Sequence, residues 1–314
     1  MQVSFFLVSL QHIFIYVHHR IKSTKTMIKS SELVLAGDGS LYHIHLKDTT
    51  LADDIILVGD PGRVEMFKSI FESTEHESYN REMHALTGLY HGHRFTALST
   101  GMGCDNIDIV VSELDAAANI DLVKREPKAT HRQLNMVRIG TSGSLHSEIK
   151  VGDLVASKHT VGLDGLLNYY RHDSSQLNEK LNEAFIKHMG FDACFARPYA
   201  VDAGKELFEK VSSGMHHGIT ATAPGFYAPQ GRALRIEPSI EDLNEKLATF
   251  EWGGCKLTNL EMETSAIYGL ASIMGHQALT VCLIIANRAD GTFLNDYHKE
   301  MKDTIVKVME RLGA

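Results

Sequence analysis

The sequence is poor in cysteine and contains none of the spacings that build a disulfide scaffold or a metal site. Its 314 residues include four scattered cysteines, Cys104, Cys194, Cys255 and Cys282, with no C-x-x-C pair and no H-E-x-x-H motif. The 18 histidines are scattered as well. This distribution argues against a structural metal and is typical of reduced thiols in a cytosolic protein. We therefore expect a cytoplasmic protein without a metal centre.

The chain also lacks a basic block and a membrane-spanning run. The formal net charge is −8 with both signs interspersed, so nucleic-acid binding is not expected. The apolar run from Phe5 to Val17 is shorter than the ~20 residues that span a membrane, and its flanking charges do not fit a signal peptide. Residues 1–27 are predicted to be a disordered N-terminal extension or a misassigned start, with Met27 as the alternative first residue; weak membrane association is the other interpretation. No linker divides residues 28–314, which we interpret as one domain.

Strands that end in glycine turns are the main pattern of this domain. The apolar strand at 55–58 runs into Gly-Asp-Pro-Gly-Arg at 59–63, and the strand at 136–139 runs into glycine and hydroxyl residues at 140–144. An uninterrupted apolar run at 281–286 predicts a central strand. We predict an α/β fold with a single domain, in which a central twisted mixed β-sheet is flanked by helices. Ligands of such folds bind at the carboxyl ends of the strands, where both glycine turns would lie.

An acidic stretch at 259–266 places Glu261 and Glu263 on either side of Met262. The stretch is predicted to open a helix, where the helix dipole and free backbone N–H groups hold a carboxylate in a fixed direction. Such a carboxylate can accept hydrogen bonds from a polyol such as a sugar. Acidic residues are also common in the first turn of helices that bind nothing, so both interpretations stay open.

The loop at 223–232 combines prolines and glycines with side chains that suit a flat heterocycle. Phe226 can stack on a planar ring, Gln230 can form paired hydrogen bonds, and Arg232 supplies positive charge. A solvated surface loop is the alternative interpretation.

Taken together, four motifs resemble the uridine phosphorylases of the hexameric nucleoside phosphorylase family, from about Tyr42 to the C-terminal helix. The motifs are G-D-P-G-R at 59–63, R-I-G-T at 138–141, F-Y at 226–227 with Gln230 and Arg232, and E-M-E at 261–263. Each motif lies at a strand end or in a loop, so the combination is more specific than any single one. The resemblance implies a nucleoside phosphorylase-like fold and a transferase, a pentosyltransferase of pyrimidine salvage, that cleaves uridine with inorganic phosphate.

The resemblance also implies a role for individual residues. Phosphate would be held by Gly59, Arg63, Arg81, Arg138 and Thr141, with Arg81 reaching in from a neighbouring subunit. Ribose would be held by His43, Met262 and Glu263, with His43 also acting across a dimer interface. The base would be held by Phe226, Gln230, Arg232 and Arg288. Catalysis would depend on Arg232, Gln230 and Glu263.

These roles fit the charge separation of the implied reaction. Phosphate attacks the anomeric carbon, so the transition state holds a cationic ribose between an anionic nucleophile and an anionic leaving base. Orienting phosphate with arginines can contribute about 7 to 11 kcal/mol at the limit. A donor aimed at the leaving base contributes about 3 to 4 kcal/mol. One amide and one guanidinium match the acceptor–donor–acceptor edge of uracil, whereas cytosine would leave buried groups unpaired. No cofactor is implied, and inorganic phosphate is the co-substrate.

If Arg81 and His43 act across an interface, the active sites are shared between subunits. The resemblance then implies a homo-oligomer, a hexamer arranged as a trimer of dimers. Glu82 is kept where relatives bind a monovalent cation, but Asn106 replaces a serine there, so a potassium ion near Glu82 stays open. Pro229 stands where the family usually has glycine, which leaves the shape of the base loop open.

Other functions are weighed against this resemblance. A purine nucleoside phosphorylase or a nucleosidase of the same fold is the nearest alternative. Asn287 occupies the place of an aspartate that protonates N7 in purine-cleaving relatives, and a hydrolase has no use for three phosphate-binding arginines. A non-catalytic nucleoside-binding protein is the alternative from another class. A dinucleotide-binding module is disfavoured, because no G-x-G-x-x-G follows the first strand.

Overall fold

The computed structural model describes residues 27–191 and 195–314. Residues 1–26, which make up nearly all of the predicted N-terminal extension, and residues 192–194, which include Cys194, lie outside the described residues. Within the described ranges, no helix is long and apolar enough to cross a membrane.

The described residues alternate between strands and helices. The strands are β1 Asp54–Val58, β2 Ser73–Asn80, β3 Met83–Tyr90, β4 His93–Ser99, β5 Ile120–Asp121, β6 Glu126–Pro127, β7 Asn135–Ser144, β8 Leu154–Gly162, β9 Tyr199–Asp202, β10 His216–Thr222, β11 Glu251–Trp252, β12 Cys255–Glu261, β13 Gln277–Asn287 and β14 Thr292–Phe293. The α-helices are α1 Pro61–Phe67, α2 Cys104–Asn119, α3 Glu179–Met189, α4 Lys205–Val211, α5 Leu243–Ala248, α6 Thr264–Met274 and α7 His298–Gly313.

One 12-stranded sheet organises the domain, with the order β11-β12-β10-β8-β13-β7-β1-β4-β3-β2 and with β9 and β14 at its side. β1 pairs in parallel with β4 and β7, and β7 pairs in parallel with β13. The β2–β3–β4 meander and the β8–β13 pair are antiparallel. The predicted fold class is therefore confirmed: the domain is α/β, with a mixed sheet between helices.

The strand β1 shows why the sheet needs helices on both faces. All five of its residues are buried, as expected for a central parallel strand. Successive side chains point to opposite faces, so Ile55 and Leu57 pack with α2 and α6, whereas Ile56 and Val58 pack with α1 and α7. A third apolar cluster joins α3 and α5 to β8, β10 and β12.

The prediction that residues 140–144 form a glycine turn is wrong. These residues continue β7, which pairs with β13 along its whole length and then crosses to β12, where Asn259 lies opposite Ser144. The strands β7, β13, β8, β10 and β12 therefore close into a ring. Pairing on both sides outweighs the weak strand preference of glycine and serine.

The prediction that the acidic stretch at 259–266 opens a helix is correct only for its second half. Residues up to Glu261 belong to β12, and the helix α6 begins at Thr264 with Glu263 as its N-cap residue. The stretch is thus a strand end followed by a helix start, which places its carboxylates at the edge of the sheet.

Candidate active site

A cavity of about 660 Å³ opens at this edge of the sheet, within the size range of small-molecule sites. Most of the residues with a predicted role line it, although they come from widely separated segments. These lining residues are Gly59, Arg63, Arg138, Thr141, Phe226, Gln230, Arg232, Met262 and Glu263.

One end of the cavity is formed by the turn between β1 and α1. Asp60 caps α1, its Oδ1 accepting a hydrogen bond from Gly62 N at 2.6 Å, and Pro61 occupies the first helical position. Arg63 follows in the first turn of the helix, where its Nη2 lies 3.4 Å from the hydroxyl of Tyr297. Helix capping by Asp60 fixes this turn and aims Arg63 at the cavity.

Arg138 is the buried cation of this end. It lies on β7 with only 5% of its surface exposed, and its Nη2 donates to Oε2 of Glu263. Its Nη1 lies 3.5 Å from Oε2 of Glu261. Burial lowers the pKa of the Arg138 guanidinium, but the two carboxylates raise it by more, so Arg138 stays charged. Gly140 leaves room for this guanidinium, since a Cβ there would overlap with Nη1.

The two carboxylates of the E-M-E motif have different surroundings. Glu261 is fully engaged with protein groups, because it accepts hydrogen bonds from Thr222 Oγ1 at 2.7 Å and from the backbone N–H groups of Glu263 and Thr264. Burial raises the pKa of the Glu261 carboxyl. Glu263 accepts from Gly103 N at 2.7 Å in addition to its contact with Arg138. Two of the roughly four acceptor positions of the Glu263 carboxylate are thereby used, which leaves the rest for a ligand.

The other end of the cavity is built by the loop that contains Phe226. Arg232 lies over the Phe226 ring, 3.9 Å from its centroid, and donates through Nη1 to the Phe226 carbonyl at 2.7 Å and to Gln230 Oε1 at 2.6 Å. Arg288 donates to the same Oε1 at 2.9 Å and also to the Gln230 carbonyl. Pro229 forms a short 3₁₀ turn with Ala228 and Gln230, and Gln230 still lines the cavity.

Three residues with a predicted role do not line the cavity of their own chain: Arg288, which contacts Gln230 instead, His43 and Arg81. His43 is held by Glu113, whose Oε1 lies 2.6 Å from His43 Nδ1. Arg81 is exposed in the turn between β2 and β3, with a left-handed φ of 54°. Glu82 and Asn106, the residues considered for a monovalent cation, both line the cavity beside Gly101.

Several contributors to the cavity were not predicted. Gly103 holds Glu263 through its backbone N–H, Met102 lines the cavity although it is 76% exposed, and Phe293 on β14 lines the cavity as well. The pattern Gly-Met-Gly at 101–103, directly after a strand, is the signal that could have identified the first two. Phe293 carries no such signal, because it reaches the cavity only through the pairing of β14 with β13.

Asn287 does not face the cavity. Its Nδ2 donates to the carbonyls of His146 and Ile149 at 2.9 and 2.8 Å, and its Oδ1 accepts from the N–H groups of Ala289 and Asp290. All of its hydrogen-bonding capacity therefore serves the two neighbouring turns. Asp290 forms an ion pair with Lys150 at 3.0 Å.

Comparison with known proteins identifies the family. The model of the phosphorylase superfamily matches residues 53–314. A uridine phosphorylase of Thermococcus kodakarensis is 29% identical over 86% of either chain, and a DeoD-type purine nucleoside phosphorylase of Colwellia psychrerythraea is 26% identical over 77% of this chain and 85% of its own. The crystal structure of a Trypanosoma brucei nucleoside phosphorylase that shows uridine phosphorylase activity superposes with a TM-score of 0.78 at 27% identity, covering 89% of this chain and 98% of the other. The chain therefore belongs to the phosphorylase superfamily.

Proposed function

We propose that the protein is a uridine phosphorylase, which transfers the ribosyl group of uridine to inorganic phosphate. A phosphate oxygen forms a bond to C1′ as the bond from C1′ to N1 breaks. The electron pair of that bond leaves with uracil, which takes a proton from solvent, and ribose 1-phosphate is the other product. The observation that carries the proposal is the base end of the cavity, where Phe226, Gln230 and Arg232 offer a stacking face and hydrogen-bond donors.

Phosphate is assigned to the end of the cavity that contains Arg63 and Arg138. Both residues line it, together with Gly59 and Thr141. Arg138 Nε is buried without a hydrogen-bond partner among the described residues, so it remains a donor for an anion. A guanidinium fixed in this way orients the nucleophile at low entropic cost.

Ribose is assigned to the centre of the cavity, at Met262 and Glu263. Arg138 and Gly103 hold Glu263 in one orientation, with acceptor positions left for sugar hydroxyls. Negative charge at Glu263 also stabilises the cationic ribose of the transition state. His43 would contact the 5′-hydroxyl from a neighbouring subunit.

Uracil is assigned to the loop end, where Arg232 and Gln230 meet the charge that develops on the leaving base. Arg288 supports this end through its two contacts with Gln230. A purine-type mechanism lacks its acid here, because Asn287 is an amide that is fully engaged in two turns. This observation favours uridine over inosine, although relatives of both kinds match the chain.

The charges that line the cavity support a shared active site. Four acidic residues, Asp60, Glu82, Glu261 and Glu263, face three arginines, Arg63, Arg138 and Arg232, so this set has a formal charge of −1. A phosphate dianion needs more positive charge than one chain supplies. Arg81 of a second copy would provide it, which is why we propose a dimer as the smallest active unit and a trimer of dimers as the assembly. The proposed reaction needs no cofactor, and the enzyme would serve cytoplasmic pyrimidine salvage.

The experiment that tests the reaction is the release of uracil from uridine with and without inorganic phosphate, with inosine and cytidine as competing substrates. We expect release from uridine only, and only with phosphate. Arg232→Ala should lower kcat/KM by about 10² to 10³-fold, whereas Arg235→Ala, at an exposed arginine three residues later, should have no effect. Release without phosphate, or faster cleavage of inosine, would contradict the proposal.

Complementation tests the shared site. Arg63→Ala disables the site of its own chain, and Arg81→Ala disables the site of the neighbour. In a mixed dimer the Arg81→Ala chain retains its own Arg63 and receives an intact Arg81, so one complete site forms. Co-refolding the two inactive variants should restore activity, and the absence of restoration or a fully active monomer on gel filtration would contradict the proposed assembly.

A further inference from the structure

Two guanidinium groups share one amide oxygen at the base end of the cavity. Arg232 Nη1 lies 2.6 Å and Arg288 Nη2 lies 2.9 Å from Oε1 of Gln230. Because a guanidinium has only donors, the amide must direct its oxygen towards the arginines. The Gln230 amide N–H groups are thus directed away from them, and Gln230 is 98% buried, with 2% of its surface exposed.

The other groups that accept hydrogen bonds from Arg232 and Arg288 are also uncharged. Arg232 donates to the Phe226 carbonyl at 2.7 Å. Arg288 donates to the Gln230 carbonyl and to Oδ1 of Asn244, at 3.2 Å, on α5. Among the residues the structure describes, no carboxylate lies within 4.0 Å of either guanidinium, and the nearby Asp290 is paired with Lys150.

The position of Asn244 is fixed by close packing. A Cβ on Gly231 would come within 2.6 Å of Asn244 Nδ2, so the asparagine lies directly against the end of the base loop. An aspartate has the same shape and would form an ion pair with Arg288, which would stabilise the pair of cations without any ligand. The chain has the neutral amide at this position instead.

Without a carboxylate nearby in the described part of the chain, the charges of Arg232 and Arg288 are not balanced. Burial lowers the pKa of Arg232, and burial together with repulsion by Arg232 lowers the pKa of Arg288 to about 10. Tyr227 is the titratable group that acts on the pKa of Arg232 in the opposite direction. Both arginines are therefore charged at neutral pH and repel each other, which an anion at the base end would relieve.

We propose that the neutral side chain of Asn244 leaves Arg232 and Arg288 without a counter-ion, so that an anionic planar heterocycle neutralises them. This inference rests on the proposed function, in which the leaving base carries that negative charge. It goes further by specifying the ligand class that the base end binds most tightly, a deprotonated heterocycle, and by assigning a role to α5.

Calorimetric titration with 5-nitrouracil, without phosphate, tests this inference directly. The nitro group makes a ring N–H acidic enough to be lost near neutral pH, whereas uracil stays neutral there. We expect the unmodified protein to bind 5-nitrouracil at least about tenfold more tightly above the pKa of the ligand than below it, with no such change for uracil. Equal or weaker binding of the anion would overturn the proposal.

Two variants separate the effect of a negative charge at position 244 from the effect of lost packing there. Asn244→Asp should reduce the affinity for the 5-nitrouracil anion about tenfold and leave that for neutral uracil nearly unchanged. Asn244→Ala removes the oxygen without adding charge, and it should keep the preference for the anion. Asn168→Asp, which adds the same charge at an exposed position, is the matched control. Retention of full anion affinity by Asn244→Asp would overturn the proposal.

The binding measurement also separates this inference from the proposed function. Preference for the anion without phosphorolysis of uridine would refute the enzymatic activity and leave the anion site intact. Phosphorolysis of uridine without preference for the anion would refute the role of Asn244 and leave the proposed reaction intact.

Discussion

Arg138 and Glu263 form a buried ion pair at the centre of the cavity, although they are 125 residues apart in the chain. Each side chain is buried, with only 6% of its surface exposed. Glu261 lies on the other side of the same guanidinium. One cation thus serves two carboxylates and borders both the proposed phosphate and ribose positions, so its removal affects stability as well as binding.

We expect Arg138→Met to lower the free energy of unfolding by about 3 to 5 kcal/mol, because it leaves buried carboxylates without their cation. The double variant Arg138→Met, Glu263→Gln should recover part of this loss, since one of those charges is then absent. Urea unfolding of both variants measures the difference. Equal stability of Arg138→Met and the unmodified protein would show that the pair is not energetically coupled to the fold.

Gly140→Ala should displace the Arg138 guanidinium, because the added Cβ overlaps with Nη1. A misplacement of about 1 Å can cost about 10²-fold in rate, so we expect kcat/KM for uridine and phosphate to fall by that order. Gly37→Ala is the matched control, because no atom lies within 4 Å of the added Cβ at this exposed position. A Gly140→Ala variant with unchanged kinetics would contradict this account of Arg138.

Asn287→Asp should not create a purine nucleoside phosphorylase. The carboxylate would face the carbonyls of His146 and Ile149, to which the amide now donates, and the cost should be about 1 to 3 kcal/mol in stability. Thermal unfolding and the cleavage of inosine are the two measurements. A variant that cleaves inosine efficiently would show that this side chain can turn into the cavity after all.

Alkaline pH should destabilise the fold in part through Cys282, whose Sγ lies 3.9 Å from Arg138 Nη1. Burial raises the pKa of this thiol from its ordinary value of 9.0 to about 12. Between these values the folded protein keeps a proton that the unfolded chain releases, so stability falls as pH rises from about 9 towards 12, by up to about 1.4 kcal/mol per pH unit for this group. Below pH 9 the thiol is protonated in both states and contributes no pH dependence.

Cys282→Ala provides the comparison for this pH dependence. The buried tyrosines Tyr199 and Tyr268 also have a raised pKa because of burial, so the variant keeps part of the alkaline loss. The free energy of unfolding should decrease less steeply with pH in Cys282→Ala than in the unmodified protein. Parallel curves would show that this thiol does not titrate as its burial implies.

The sequence by itself determined the fold class and identified most of the predicted residues that line the cavity. Continuous apolar runs at 55–58 and 281–286 identify strands that are buried on both faces, and the structure confirms both within β1 and β13. The Gly-Asp-Pro-Gly-Arg turn contains a cap, a proline and a glycine, which together define a helix start without long-range information. Such local patterns suffice because their structure depends on neighbouring residues only.

Only the tertiary structure decided where residues 140–144 and the two glutamates lie. A stretch of glycine, threonine and serine has no strong preference of its own, so its pairing with β13 and β12 settles its conformation. The same closure ties Glu261 to the backbone N–H groups of Glu263 and Thr264, whereas Glu263 contacts Gly103 N and Arg138, although the two glutamates are only two positions apart. The shared contact of Arg232 and Arg288 with Gln230, and the neutral partner Asn244, likewise depend on segments that meet only in the folded chain.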